Sequence, residues 1–256
     1  MKTVILCGGK GTRLKEETEY KPKPMIVVGA KPILWHIMKI YSHHGYREFV
    51  LALGYKGQAI KEFFLNERAY SSDFTLCTSS GAIDYHQQHT DDFRVTFVDT
   101  GVDSLTGERL RRVRKYLGDE EFMLTYGDGV ADIDIADLVR AHRRYGTLAT
   151  ITGVHPTSKY GLLRSDERDR VQHFSQKPTL GDFVNGGFMV MSPGVFEYTD
   201  DGMIEDALIR MAADRKLSVY RHDGFWKAMD TYQEMEELNR LWDTERPWAV
   251  WEKRPS

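Results

Sequence analysis

The chain predicts an α/β fold built on a mostly parallel, twisted sheet with helices on both faces. Three observations carry that expectation. Short β-branched runs alternate with longer segments of helical period. The first run, Val4-Ile5-Leu6-Cys7, breaks into a glycine loop, and a later one, Phe122 to Tyr126, is stopped by Gly127-Asp128-Gly129.

Taken in order, Lys2 to Cys7 reads as a buried strand. Ile33 to His44 puts Ile33, Ile37, Ile40 and Tyr41 on one helical face, with Pro32 suited to its first turn. Glu48 to Leu53 is a strand, followed by a helix over Gln58 to Asn66 with Ile60, Phe63 and Phe64 inward. Strands at Phe74 to Thr78 and Arg94 to Asp99 precede a helix at Arg109 to Leu117. The strand Phe122 to Tyr126, the helix Ile135 to Tyr145 and the strand Leu148 to Val154 complete the regular part. Beyond it, short runs at Gly161 to Arg164, Val171 to Ser175 and Gly187 to Met191 predict antiparallel additions. Helices are expected over Ile204 to Arg215 and Tyr232 to Thr244. The stretch Ser79 to Asp92 reads as an excursion from the sheet, with His86 and His89 as solvated loop histidines. No repeat, linker or low-complexity stretch interrupts the chain, so residues 1–256 are expected to form one domain.

A chain of 256 residues can bury a sizeable core without disulfides or metals. Its 35 basic and 38 acidic residues nearly cancel, which excludes a broad basic field and hence a nucleic-acid partner. Neither Cys7 nor Cys77 has metal-ligand spacing, and both are expected to be buried free thiols in a reducing compartment. The run Val4 to Cys7 is too short for a signal-peptide core or a membrane span. The expected location is therefore the cytoplasm, with no membrane partner.

The loop Gly8-Gly9-Lys10-Gly11-Thr12-Arg13 follows a strand, where an α/β sheet binds ligands. Glycines there let backbone N–H groups converge on phosphate oxygens. The P-loop pattern is absent, because no Gly-Lys-Ser or Gly-Lys-Thr follows. The dinucleotide fingerprint also fails, since Leu14 stands where a glycine or alanine belongs. Taken alone, the loop fits a tight turn as well as a phosphate site. Arg13 and Lys23 shift that balance, one as a planar fork and the other as a compact charge pinned between Pro22 and Pro24. Such a lysine beside a glycine loop is suited to clamp a triphosphate, whereas Lys21 reads as support for the turn. Asp128, directly after a strand and between glycines, projects from the C-terminal edge of the sheet. By itself it fits a turn-former equally well.

The pattern Leu6-x-Gly8-Gly9-x-Gly11-Thr12-Arg13-Leu14 followed by Lys21-Pro22-Lys23-Pro24-Met25 resembles the signature of the sugar-1-phosphate nucleotidyltransferases. The fragments "KPILWHIMKIYSHHG", "GYKG", "VDTG", "TGERLRRV", "TYGDGV" and "FWKAMDT" extend the resemblance over most of the chain. It implies a Rossmann-like domain with a nucleotide-binding part over about 1–150 and a small antiparallel sugar-binding lobe over about 151–256. The implied substrates are CTP and glucose 1-phosphate, with dTTP, UTP or another hexose phosphate as variants. A homo-oligomer and Mg²⁺ held by Asp128 and Asp230 are implied as well.

By the same resemblance Arg13, Lys23 and Asp128 are catalytic. Leu6, Gly8, Gly9, Lys10, Gly11, Thr12, Thr106, Arg109, Arg111 and Gly127 bind the nucleotide, together with Arg13. Tyr160, Gly161, Gln176, Lys177, Asn185 and Gly186 bind the sugar phosphate, with Gln176 standing where the family usually has glutamate. A sugar phosphate is already ionised at neutral pH and needs no general base, so none of the nine histidines is a catalytic candidate. A sensor without turnover, or a dinucleotide-dependent oxidoreductase, are the rival readings.

Overall fold

The computed structural model describes residues 1–86, 91–158, 160–176, 178 and 181–252, with the backbone alone at positions 15 and 16. Seven strands form one sheet: β1 (Thr3–Cys7), β2 (Glu48–Leu53), β3 (Arg94–Asp99), β4 (Phe122–Tyr126), β5 (Ala149–Val154), β6 (Val184–Met191) and β7 (Leu217–His222). Their order across the sheet is β3-β2-β1-β4-β6-β5-β7. Central β1 is parallel to both neighbours, and its Leu6 stands level with Ala52 on one side and Tyr126 on the other. β6 runs antiparallel to β4 and β5, and β7 lies parallel beside β5. The chain leaves β1 for β2 on one side, while β4 flanks it on the other. The loops after β1 and β4 therefore open a crevice at the point where the strand order reverses.

The helices are α1 (Ile33–His43), α2 (Gly57–Ser71), α3 (Thr106–Val113), α4 (Ile135–Tyr145), α5 (Ile204–Ala213) and α6 (Tyr232–Thr244). Period-two alternation in β1 sends Ile5 and Cys7 into a layer with α1, α2, α4 and α6, and Val4 and Leu6 into a layer with α3 and α5. Local chemistry sets several helix ends. Asp134 accepts the Asp137 N–H at the start of α4, and Gly146 closes it in the left-handed conformation.

Several elements depart from expectation. α2 runs on to Ser71, α3 begins at Thr106, and β7 was not anticipated. β7 is a half-exposed strand at the sheet margin, so its sequence lacks a continuous apolar run. The expected division near residue 150 falls inside β5, and β5, β6 and β7 complete the same sheet as the N-terminal strands. The antiparallel addition is a separate ribbon, Leu162–Ser165 against Val171–Ser175, and it is largely exposed. The excursion is a second ribbon, Phe74–Leu76 against Ile83–Tyr85; His89 lies outside the described residues. Cys7 is buried as expected, but Cys77 is exposed because its ribbon stands off the core. Hydrogen bonds from Ser79 and Ser80 pull the Cys77 thiol down to about 6.

The C-terminal tryptophans pack rather than bind. Trp248 is fully buried, and Trp35, Trp242, Trp248 and Trp251 surround the ring of His36. Trp248 Nε1 donates to His36 Nδ1, and His36 Nε2 bonds the Val28 carbonyl. Burial pushes His36 down to about 4, so it is neutral.

Candidate active site

The crevice is a cleft of about 360 Å³ between the loop after β1, the loop after β4 and the segment leading into α3. Lys23 is delivered to it by a 3₁₀ turn, Lys23–Met25, that starts after Pro22. Pro24 is buried against Gly127, where a Cβ would lie 2.8 Å from the proline ring and 3.0 Å from the Leu6 carbonyl. That close approach explains Gly127, and the proline docking fixes where the Lys23 side chain begins.

A small ribbon brings together two aspartates that are far apart in sequence. Gly129–Ala131 pairs antiparallel with Trp226–Ala228, and Met229 N–H donates to the Asp128 carbonyl at 2.9 Å. Asp230 then sits immediately before α6. Its N–H donates to Glu234 Oε2 at 2.7 Å, while Glu234 and Thr231 form a reciprocal capping box. The Thr231-x-x-Glu234 spacing of this box is legible in the sequence.

Lys23 Nζ donates to Asp128 Oδ2 at 2.6 Å and to Asp230 Oδ1 at 2.7 Å, and Arg13 Nη1 lies 3.3 Å from Asp230 Oδ2. Burial disfavours the lysine's charge, but Asp128 and Asp230 more than offset it, so its pKa is raised and the ammonium persists. Gly11, at φ +61°, carries the loop around Lys23, and its carbonyl accepts from Thr18 Oγ1 at 3.1 Å. At the cleft floor the Cys7 thiol is pushed far up, first by burial and then by Asp128.

Other residues singled out from the sequence differ in where they stand and what they contact. Arg109 is 3 % exposed and donates to the carbonyls of Leu53, Gly101, Gly8 and Val102 and to Thr100 Oγ1, at 2.7–3.2 Å. It lines the cleft, but its guanidinium chiefly ties together the ends of β1, β2 and β3 instead of standing open for a base. Arg111 does not line the cleft; it pairs with Asp201 and lines an outer groove with Arg112, Arg114 and Lys115. Lys10 reaches Asp103 at 2.8 Å in an exposed pair, and Lys21 pairs with Glu17 at 3.3 Å, consistent with support for the turn. Thr106 and Thr12 line the cleft with Leu6, Gly8, Gly9 and Gly11.

The sugar-side residues divide. Asn185 and Gly186 lie in β6, outside the cleft lining: Asn185 Oδ1 accepts the Gly187 N–H at 2.9 Å and the Gly186 carbonyl accepts from Trp226 Nε1 at 2.8 Å. Tyr160, Gly161 and Gln176 belong to the exposed ribbon region and do not line the cleft, although a Cβ on Gly161 would lie 3.1 Å from Gln176 Oε1. Lys177 lies outside the described residues. Tyr126, Ser104, Leu105 and Met203 line the cleft without a role assigned from the sequence, although Tyr126 ends a predicted strand and lies within "TYGDGV".

The family description "Nucleotidyl transferase" matches residues 2–243. The chain belongs to the nucleotidyl transferase family. It is 46% identical over 256 residues to a Bacillus subtilis protein named "Probable glucose-1-phosphate cytidylyltransferase", covering 98% of this chain and 100% of the relative. A Salmonella typhimurium protein named "Glucose-1-phosphate cytidylyltransferase" is 43% identical over 258 residues, covering 98% of this chain and 100% of that one. The fold is shared with a crystal structure of UDP-glucose pyrophosphorylase complexed with UDP-glucose (TM-score 0.70, 16% identity, 96% of this chain and 99% of that chain). It is shared as well with HddC from Yersinia pseudotuberculosis (TM-score 0.68, 20% identity, 94% and 99%). No helix among the described residues is long and apolar enough to cross a membrane.

Proposed function

We propose that the protein transfers the cytidylyl group of CTP to α-D-glucose 1-phosphate, giving CDP-glucose and pyrophosphate. The names of the full-length relatives support the substrates. The observation that carries the chemistry is the convergence of Lys23, Asp128 and Asp230 beside the glycine loop. In this reading a phosphate oxygen of the sugar phosphate attacks the α-phosphorus. A P–O bond forms there as the bond to the β-phosphate oxygen breaks, and pyrophosphate departs with the electron pair. The nucleophile is already an anion, and the Cys7 thiol stays protonated and takes no part. What the chain supplies is position and charge. Backbone N–H groups of the glycine loop cradle the triphosphate, and Arg13 and Lys23 offset charge growing on the α-phosphate.

The carboxylates of Asp128 and Asp230 already grip one cationic group between them, at 2.6 and 2.7 Å, so the pair suits a single cation. No cluster of three or more acidic, histidine or cysteine ligands occurs among the described residues. A pair of carboxylates completed by substrate phosphates is the usual arrangement for Mg²⁺. When bound, Mg²⁺ would neutralise charge on the α-phosphate and the leaving pyrophosphate.

Pyrophosphate release by the purified protein, measured with CTP, UTP and dTTP against glucose 1-phosphate, tests the proposal. CTP is expected to give the highest kcat/KM; faster turnover with another triphosphate, or none with CTP, overturns it.

A further inference from the structure

Behind the part of the cleft wall formed by Tyr126 and Thr106 stands a carboxylate that no motif marks. Glu205 is half-buried in the first turn of α5. The Tyr126 hydroxyl donates to its Oε1 at 2.5 Å, and Thr106 Oγ1 lies 3.5 Å from its Oε2, the limit of a hydrogen bond. Tyr126 and Thr106 both line the cleft, and so does Met203, two residues before Glu205. The tyrosine is itself held in place. Gly187, at φ +84°, lies so close that a Cβ there would sit 2.8 Å from the tyrosine ring. Thr106 is likewise fixed, because its Oγ1 accepts the Ile204 N–H at 2.8 Å.

An ionised carboxylate offers about four lone-pair sites. Tyr126 fills one well, and Thr106 approaches another at a distance too long to satisfy it. Phosphate oxygens are acceptors and repel a carboxylate, so this group does not serve the triphosphate end, where Lys23 and Arg13 stand. The parts of the substrates that can use it are those that carry hydrogen-bond donors. We infer that Glu205, aligned by Tyr126, is a specificity residue that accepts a hydrogen bond from a donor on one of the two substrates. The donor is an O–H of the hexose or ribose, or the exocyclic N–H₂ of cytosine. The inference rests on the proposed reaction and adds a recognition contact to it. A carboxylate facing the cytosine amine would also disfavour uracil, which presents an acceptor oxygen at that position.

Glu205→Gln keeps the shape and an acceptor for Tyr126 while removing the charge and one acceptor. It is expected to raise the KM of one substrate about tenfold or more, with kcat little changed and the melting temperature preserved. Tyr126→Phe should raise the same KM by less, because it removes only the alignment. The substrate affected locates the donor. A raised KM for glucose 1-phosphate points to the hexose. A raised KM for CTP with an unchanged CTP-to-UTP preference points to the ribose, and one with a relaxed preference points to the amine. Wild-type KM values for both substrates in Glu205→Gln would overturn the inference, as would a loss of activity that only follows a loss of thermal stability. Should the wild-type protein release no pyrophosphate from CTP, the proposed reaction fails. Equilibrium titration of wild type and Glu205→Gln with CTP and with glucose 1-phosphate separately then still decides whether the carboxylate binds either.

Discussion

Two cations touch the glycine loop, Lys23 beside Gly11 and Arg109 beside Gly8, and their surroundings are opposite. The Lys23 side chain is 13% exposed and meets two carboxylates, which raise its pKa. Arg109 is more deeply buried and meets four carbonyls and a hydroxyl. Burial lowers its pKa, with Glu108 working in the other direction. Lys23 thus holds a charge in the cleft, balanced by two carboxylates. The charge of Arg109 is spent on backbone dipoles, where the planar fork matters more than the electrostatic reach. A cation in a cleft is therefore not evidence of ligand binding until its hydrogen-bond partners are counted.

Exchanging each side chain should break the pair apart. Lys23→Ala is expected to lower kcat by about 10²–10³-fold, the scale for removing one preorganised charge from a transition state. Its melting temperature should stay close to wild type, because Asp128 and Asp230 are about a third exposed and water screens their repulsion. Pyrophosphate release and a thermal melt on the same preparation check both halves. Parallel losses would refute the division of roles.

Arg109→Met should invert the pattern. It leaves five acceptors at the ends of three strands without their donor, at a cost of about 3 kcal/mol or more in urea unfolding. The folded fraction should retain much of its kcat. A Cβ at Gly8 or Gly54 would collide with the same guanidinium. Gly8→Ala and Arg109→Met combined should then cost less than the sum of the two separately, because the second removes what the first strikes. Additive losses would show that the guanidinium moves aside freely.

A third buried titratable group extends the comparison beyond the cleft. His36 has a folded pKa of about 4 against an ordinary value of 6.5. The unfolded chain therefore binds more protons between those values. The stability this contributes is complete above about pH 6.5 and is lost as the pH falls toward 4. From pH 7.5 to pH 5 the loss from this group is about 2 kcal/mol. Urea unfolding at the two pH values measures it, and a flat profile would mean that the tryptophan cage opens to water. The smallest effect is expected on the exposed ribbon. Phe174 is 59% exposed, so Phe174→Ser should change stability by no more than about 0.5 kcal/mol. A large loss there would reveal that the ribbon is covered in solution.

Much of the fold was readable because its signals are local. β2, β4, α4 and α6 have the boundaries that periodicity predicts, since each carries a clean apolar face and ends in turn or capping residues. β7 was not readable, because a marginal strand half-open to water has no need of an apolar run. Cys77 was misplaced for a related reason: a short apolar stretch does not reveal whether its strand joins the sheet or stands away from it. In the site, the glycine loop, Lys23 and Asp128 were visible as candidates from their positions, but the roles of Asp128 and Asp230 entered through family resemblance. Tyr126 and Glu205 had no role assigned from the sequence. Their pairing joins the end of β4 to the start of α5 and exists only once those elements pack.

The sequence by itself determined the alternation of strands and helices, the glycine loop after the first strand and the proline-held lysine beside it. These depend on steric preferences and periodicities that act over a few residues. Tertiary structure alone decided which charges meet. Asp128 and Asp230 converge because a short antiparallel ribbon and a helix cap bring two distant segments to one edge of the sheet. Arg109 turns inward because the ends of three strands present their carbonyls at one point. A side chain's charge is written in the chain, but what that charge does depends on its partners, and the partners are supplied by the packing of distant elements.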